Sequence, residues 1–166
     1  MPRGFNYARG RNNAAPRVQS LAYTTGQVFK AQALVVLTAA GEVSECAADP
    51  AAVLGVALQG AGTGMGYDLP NSSVTTVVTG RAQEVSVLVA DDSTEFYARG
   101  VNGATDPVLP LQTHIGEQYG VAKVGTEWVI DFAETTAKVV EITDIVPAPD
   151  GSFFVCKILR TVRQVA

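Results

Sequence analysis

Short runs rich in Val, Ile, Thr and Phe alternate with clusters of Gly, Pro, Asn and Asp along almost the whole chain. That punctuation constrains the fold most, because runs this short, bounded by turn formers, read as strands and leave no stretch for a long amphipathic helix. The candidate strands are Val18–Tyr23, Gln27–Lys30, Ala33–Thr38, Val43–Cys46, Val53–Gln59, Val74–Thr79, Glu84–Val89, Tyr119–Val124, Glu127–Phe132, Lys138–Val146 and Phe153–Leu159. Period-two alternation supports several of them. Val85, Val87 and Val89 share one face opposite Glu84 and Ser86, and Trp128, Ile130 and Phe132 oppose Glu127, Val129 and Asp131. "PAPDGS" (147–152) sets Asp150-Gly151 between two such runs, a hairpin signal. "STEFYAR" and "AETTAK" have room for a helical turn or two but carry no apolar stripe. The expected fold is all-β, a compact barrel or sandwich, with an irregular loop-rich insertion near residues 91–117.

The first 17 residues, MPRGFNYARGRNNAAPR, break the pattern. They hold four arginines, two aromatics and no acid. With a formal net charge of −4 overall, the remaining residues carry 8 basic against 16 acidic side chains, or −8. The chain therefore divides into an extended N-terminal arm, 1–17, and an acidic β body, 18–166. Two glycines, two prolines and two adjacent asparagines leave the arm unable to offset its own ordering entropy. Fully stretched it would reach roughly 55–60 Å. Such an arm becomes ordered by lying against something, either its own body or a neighbouring chain. Its candidate partner-binding residues are Arg3, Phe5, Tyr7, Arg9, Arg11 and Arg17, the aromatics as apolar anchors and the guanidinium forks for carboxylates.

Length and composition set further bounds. At 166 residues, 47% hydrophobic and 17% charged, the chain can bury a real core and is not globally disordered. The acidity of the body argues against a nucleic-acid binder, which needs a basic face for phosphates. No signal-peptide pattern opens the chain, and "ALVVL" ends at Thr38 while "VLGVAL" ends at Gln59, each far short of a membrane span. A soluble protein made in the cytosol is expected. Cys46 and Cys156, 110 residues apart and outside any CxxC pattern, read as reduced thiols packed as small hydrophobes. A disulfide between them requires the fold to bring them together.

Catalytic constellations are poor. The single histidine, His114, has Glu117 as its nearest acid, and a base or metal role needs a positioned partner. No GxSxG, HExxH or P-loop pattern occurs. "GAGTGMG" (60–66) fails GxGxxG because Met65 or Tyr67 stands where the third glycine belongs, and it reads as a turn between strands. Asp91, Asp92 and Glu95 lack the alternating ligands and central glycine of a calcium loop. No catalytic, cofactor-binding or metal-ligating residue is therefore assigned.

Two stretches carry a family likeness. "TTGQVFKAQALVVLTAAGEVSECAADPAAVLGVALQGAG" (24–62) has an apolar strand after glycine, a G-x-V turn, and a "VLGVAL" strand leading into a glycine-rich loop. "HIGEQYGVAKVGTEWVIDFAETTAKVVEITDIVPAPDGSFFVCKIL" (114–159) has a G-x-x-Y-G-V strand, a W-x-x-D strand, a Val/Ile strand and a closing hairpin. In this order they resemble the capsid decoration, or cement, proteins of tailed bacteriophages. The resemblance implies a β-tulip or related fold and no catalysis. It also implies a homotrimer on the outer capsid surface of the virion, bridging neighbouring major capsid protein capsomers. A trimer at such junctions gains from multivalency, and an extended arm suits strand addition to a neighbour's sheet. The alternative is a tail, baseplate or host-recognition module that binds glycan through a surface around Tyr97 and Arg99. A hydrolase built on His114 with Glu117 or Asp131 is the remaining reading.

Overall fold

In the computed structural model, which describes residues 4–10, 14–24, 26–61, 84–103, 106–147 and 153–164, the short runs pair into two sheets. The strands are β1 (Asn6–Gly10), β2 (Val18–Ala22), β3 (Leu34–Leu37), β4 (Val43–Glu45), β5 (Gly55–Ala57), β6 (Glu84–Val89), β7 (Thr94–Ala98), β8 (Gly100–Asn102), β9 (Asp106–Val108), β10 (Gln118–Val124), β11 (Glu127–Asp131), β12 (Val140–Val146) and β13 (Phe153–Ile158). Eight strands form one sheet in the order β1-β7-β13-β12-β10-β11-β8-β9, and five form the other in the order β2-β6-β5-β3-β4. Among the described residues helix is confined to a 3₁₀ turn, Gln112–His114. The fold is all-β, as the sequence predicts.

Neither sheet closes into a barrel, so the barrel half of the barrel-or-sandwich expectation is not met among the described residues. The five-stranded sheet comes nearest: an isolated bridge, Tyr23↔Val43, ties the end of β2 to β4, with Thr24 N–H donating to Val43 O at 2.9 Å. One bridge does not make a ladder.

A single apolar cluster joins the two sheets. It draws Leu34, Val56 and Val87 from the smaller sheet and Phe96, Trp128 and Ile142 from the larger, all at most 1% exposed. Polar ties also cross between the sheets. Glu45 on β4 accepts from Trp128 Nε1 at 3.0 Å and pairs with Lys123 Nζ at 2.7 Å, joining β4 to β11 and β10. The segment after β13 runs beside β3 and Val53. Val53 N–H donates to Val162 O at 2.7 Å, and Gln164 N–H donates to Val53 O at 2.9 Å. The Gln164 side-chain amide behaves like a peptide unit, accepting from Leu37 N–H at 2.6 Å and donating to Leu37 O at 3.0 Å. It thereby satisfies a backbone position of β3 that would otherwise need another strand.

Several expectations change. "STEFYAR" is strand β7, not a helical turn, and Thr94, Glu95, Phe96 and Ala98 are buried because β1 and β13 flank it. The stretch 98–110, expected as loop, supplies β8 and β9; β8 is held by parallel pairing of Gly100 and Val101 with Ile130 and Asp131. Gly100 is required there, since a Cβ would lie 2.5 Å from the Phe132 ring and 2.7 Å from Phe154. Gln27–Lys30 is reduced to one bridge, Phe29↔Ala61. "AETTAK" is a bend in which Glu134 Oε1 accepts from Thr136 and Ala137 N–H at 2.6 and 2.7 Å. β12 and β13 pair antiparallel to Val146↔Phe153, as the hairpin signal predicts. The turn at Asp150-Gly151, the strand Val74–Thr79 and residues 62–66 of "GAGTGMG" lie outside the described residues.

Candidate interaction edge

The arm is where the sequence places partner binding, and β1 is its middle. β1 pairs antiparallel with β7, with Asn6 opposite Tyr97, Tyr7 opposite Phe96, Arg9 opposite Glu95 and Gly10 opposite Thr94. The register slips between Tyr7 and Arg9, so Ala8 is the extra residue of a bulge and Arg9 faces Glu95. Of the two surfaces on which such an arm can order, the structure shows its own body. The arm is not coreless: Phe5 is fully buried, edge-on to Phe96 with ring centroids 6.4 Å apart. What composition misses is that β7 and its neighbours supply the apolar surroundings that residues 1–17 lack.

Arg9 fastens the strand electrostatically. Its Nε donates to Glu95 Oε2 at 2.7 Å and its Nη2 to Asp144 Oδ2 at 3.1 Å. The Glu95 side chain is 2% exposed, whereas that of Arg9 is 55% exposed. The hydrogen bonds to Glu95, and then to Asp144, push the guanidinium pKa further up from its ordinary value. Asn6 adds an amide pair, its Oδ1 accepting from Gln32 Nε2 at 2.6 Å. The arm is thus held by an apolar anchor, an amide contact and an ion pair set along one strand.

The other expected arm residues are distributed differently. Tyr7 is 38% exposed. Arg17 is exposed where its carbonyl accepts from Val89 N–H at 2.9 Å, extending the β2–β6 pairing, and it borders a cleft with Asp92, Arg160 and Arg163. Arg3 and Arg11 lie outside the described residues. Sequence reasoning missed Glu95 as the partner of Arg9. The available signal was Thr94, Phe96 and Ala98 alternating with Glu95 and Tyr97, a strand pattern carrying an acid.

The residues weighed for chemistry have structural partners. Asp91 Oδ1 accepts from Ser93 N–H and Oγ and from Thr94 N–H and Oγ1, all at 2.7–2.8 Å. Burial raises its pKa, but the bonds from Thr94 and Ser93 outweigh that and leave it below the ordinary value. Asp92 pairs with Arg163. With Glu95 turned to Arg9, the three acids point to three different partners. His114 Nδ1 accepts from Leu111 N–H at 3.1 Å, which leaves the ring proton on Nε2 in the neutral form. Its ring packs 4.9 Å from Phe132 and 5.6 Å from Phe154, with Tyr119 at 6.5 Å. Asp131 accepts from Gly103 and Ala133 N–H at 3.1 and 2.9 Å, a turn-closing role. Tyr97 and Arg99 belong to and follow β7 rather than a loop tip, and Arg99 stands 3.8 Å from Glu127.

Both cysteines are free and buried. Burial, then the charge of Glu45, pushes the Cys46 thiol up to about 12; burial, then Glu95, pushes Cys156 up as well. No helix among the described residues is long and apolar enough to cross a membrane. No protein-family model, curated protein or solved structure matches this chain.

Proposed function

We propose that this chain is a structural virion protein, a capsid decoration protein of a tailed bacteriophage. In this reading it sits as a homotrimer on the outer capsid surface and stabilises contacts between major capsid protein capsomers. The observation that carries the proposal is the ordered likeness of residues 24–62 and 114–159 to that family. In the fold these stretches supply β3–β5 and β10–β13, which share the core with β6 and β7. The reading includes a β-tulip-like body preceded by the arm, and a role without catalysis, cofactor or nucleic acid.

The geometry of the arm suits such a role. Among the described residues β1 is the end strand of its sheet, with Tyr7 and the half-exposed Arg9 on it. An end strand offers backbone donors and acceptors to a neighbour's chain. β1 and Phe5 are also part of the body in this account, so removal of residues 1–17 takes away a strand and a core phenylalanine together.

Two measurements test the proposal. Light scattering on the isolated protein should give a trimer. Capsids carrying the protein should hold their DNA to a higher temperature than bare capsids. Unchanged DNA release at saturating protein would overturn the stabilising role.

A further inference from the structure

We propose that β1 exchanges between copies of this chain, so that the β7 edge of one molecule takes the arm of another with Gly10 as the hinge. The inference does not depend on the capsid reading, because it concerns only copies of this chain.

Three observations carry it. First, the seat for β1 is built to be filled. It combines the fully buried site of Phe5 against Phe96, the Gln32 amide that meets Asn6, and a Glu95 carboxylate with a 2% exposed side chain that meets Arg9. An empty seat exposes apolar surface and strips Glu95 of its guanidinium. A second copy supplies an arm of identical sequence, so it satisfies every one of these contacts.

Second, β1 lies at the end of the sheet and pairs with β7 alone among the described strands. Its departure opens no interior strand ladder. Third, the closed form depends on a very close backbone approach directly after the strand. A Cβ on Gly10 would lie 1.9 Å from the Ala14 carbonyl oxygen and 2.9 Å from its carbonyl carbon. Only glycine permits that approach of position 10 to the Ala14 backbone. A larger residue opposes the closed arrangement and leaves each seat contact available to an arm from elsewhere. Exchange between identical copies keeps the seat contacts without that close approach, and swapping an identical element is a low-cost route to dimers that hinge mutations favour.

The register supplies the assay. Asn6 and Tyr97 are directly opposed across β1 and β7, so a disulfide joining positions 6 and 97 reports which arm lies on which edge. The native thiols, Cys46 and Cys156, are buried and stay silent. An Asn6→Cys chain of natural isotopes is mixed with an Asn6-intact, ¹⁵N-labelled Tyr97→Cys chain, oxidised, and analysed by mass spectrometry. A light–heavy disulfide is expected, rising several-fold when both chains also carry Gly10→Val. The Asn6→Cys/Tyr97→Cys double variant in one chain shows that the geometry permits closure. Closure in that control with no light–heavy product in either Gly10 background overturns the proposal.

An independent pair of variants reads the same exchange without cysteines. Arg9→Glu and Glu95→Arg each set like charges together in a self-closed chain, whereas an exchanged pair places opposite charges at both seats. Refolded in equal amounts, they should give a mixed species in excess of either alone by native mass spectrometry, including when either fails to fold by itself. The absence of any mixed species would likewise overturn the proposal.

Discussion

Phe5→Ala tests whether the arm belongs to the fold. The native side chain is fully buried and meets Phe96 edge-on at 6.4 Å. Truncating a buried phenylalanine costs about 3–5 kcal/mol from lost transfer energy and the cavity left behind. The aromatic pair accounts for about 0.5–1.5 kcal/mol beyond area burial. If the arm stays docked, denaturant unfolding should therefore show a loss of about 3–5 kcal/mol, and Tm should fall by about 6–20 °C at roughly 2–4 °C per kcal/mol for a chain of this size. The arm has a second response, to leave the sheet. The global loss is then capped at the free energy of docking β1, and amide hydrogen exchange across Asn6–Gly10 should rise to that of an open chain while β12 and β13 stay protected. Both responses are visible when the two measurements are made together. A Tm within about 2 °C of the native protein, combined with unchanged exchange at residues 6–10, would refute the assignment of Phe5 to the core.

Glu45→Ala should cost about 1–3 kcal/mol, because it leaves the buried Trp128 indole N–H without its acceptor. Fluorescence of this single tryptophan should shift, and Glu45→Gln should restore most of the stability, since the half-exposed Lys123 pair contributes only about 0–1 kcal/mol. Gln164→Ala should destabilise by about 1–3 kcal/mol by stripping both bonds from Leu37, read by urea unfolding and by exchange at the Leu37 amide. Asp91 titrates below its ordinary 3.8 in the folded protein, so its contribution to stability is present above that value and lost as pH falls through the lower, folded one. Asp91→Asn should accordingly flatten the acid limb of a stability–pH profile below about pH 5. Neither Cys46 nor Cys156 should react with a thiol reagent at pH 8 in the native state, and both should react after unfolding.

Strands whose partners lie close in sequence were legible. β11 shows its alternation in Trp128 and Ile130 and pairs with the adjacent β10 across the short turn at Gly125. β12 and β13 likewise flank a recognisable turn signal. Of the strands the pattern does not disclose, β9 pairs with the adjacent β8, whereas β1, β7 and β8 also depend on distant partners. β8 has three residues, hairpinned to β9 and tied into the sheet by parallel pairing with β11, some thirty positions later. β7 was obscured because Glu95 looks like a solvent-facing acid until Arg9 is placed beside it from the other end of the chain. The arm failed the core test for the same reason: local composition cannot register a seat built by Phe96. The arm residues expected to meet a partner separate in the structure. Tyr7 is exposed as an external contact requires, whereas Phe5 and Arg9 are engaged with the chain's own body.

The central functional claim is tested most directly by pelleting the full chain with expanded phage capsids and counting copies bound across a concentration series. The account predicts saturable binding in multiples of three, with the protein on the outer surface and removable by protease. Protein that remains in the supernatant at every concentration, while folded and trimeric by itself, would contradict it.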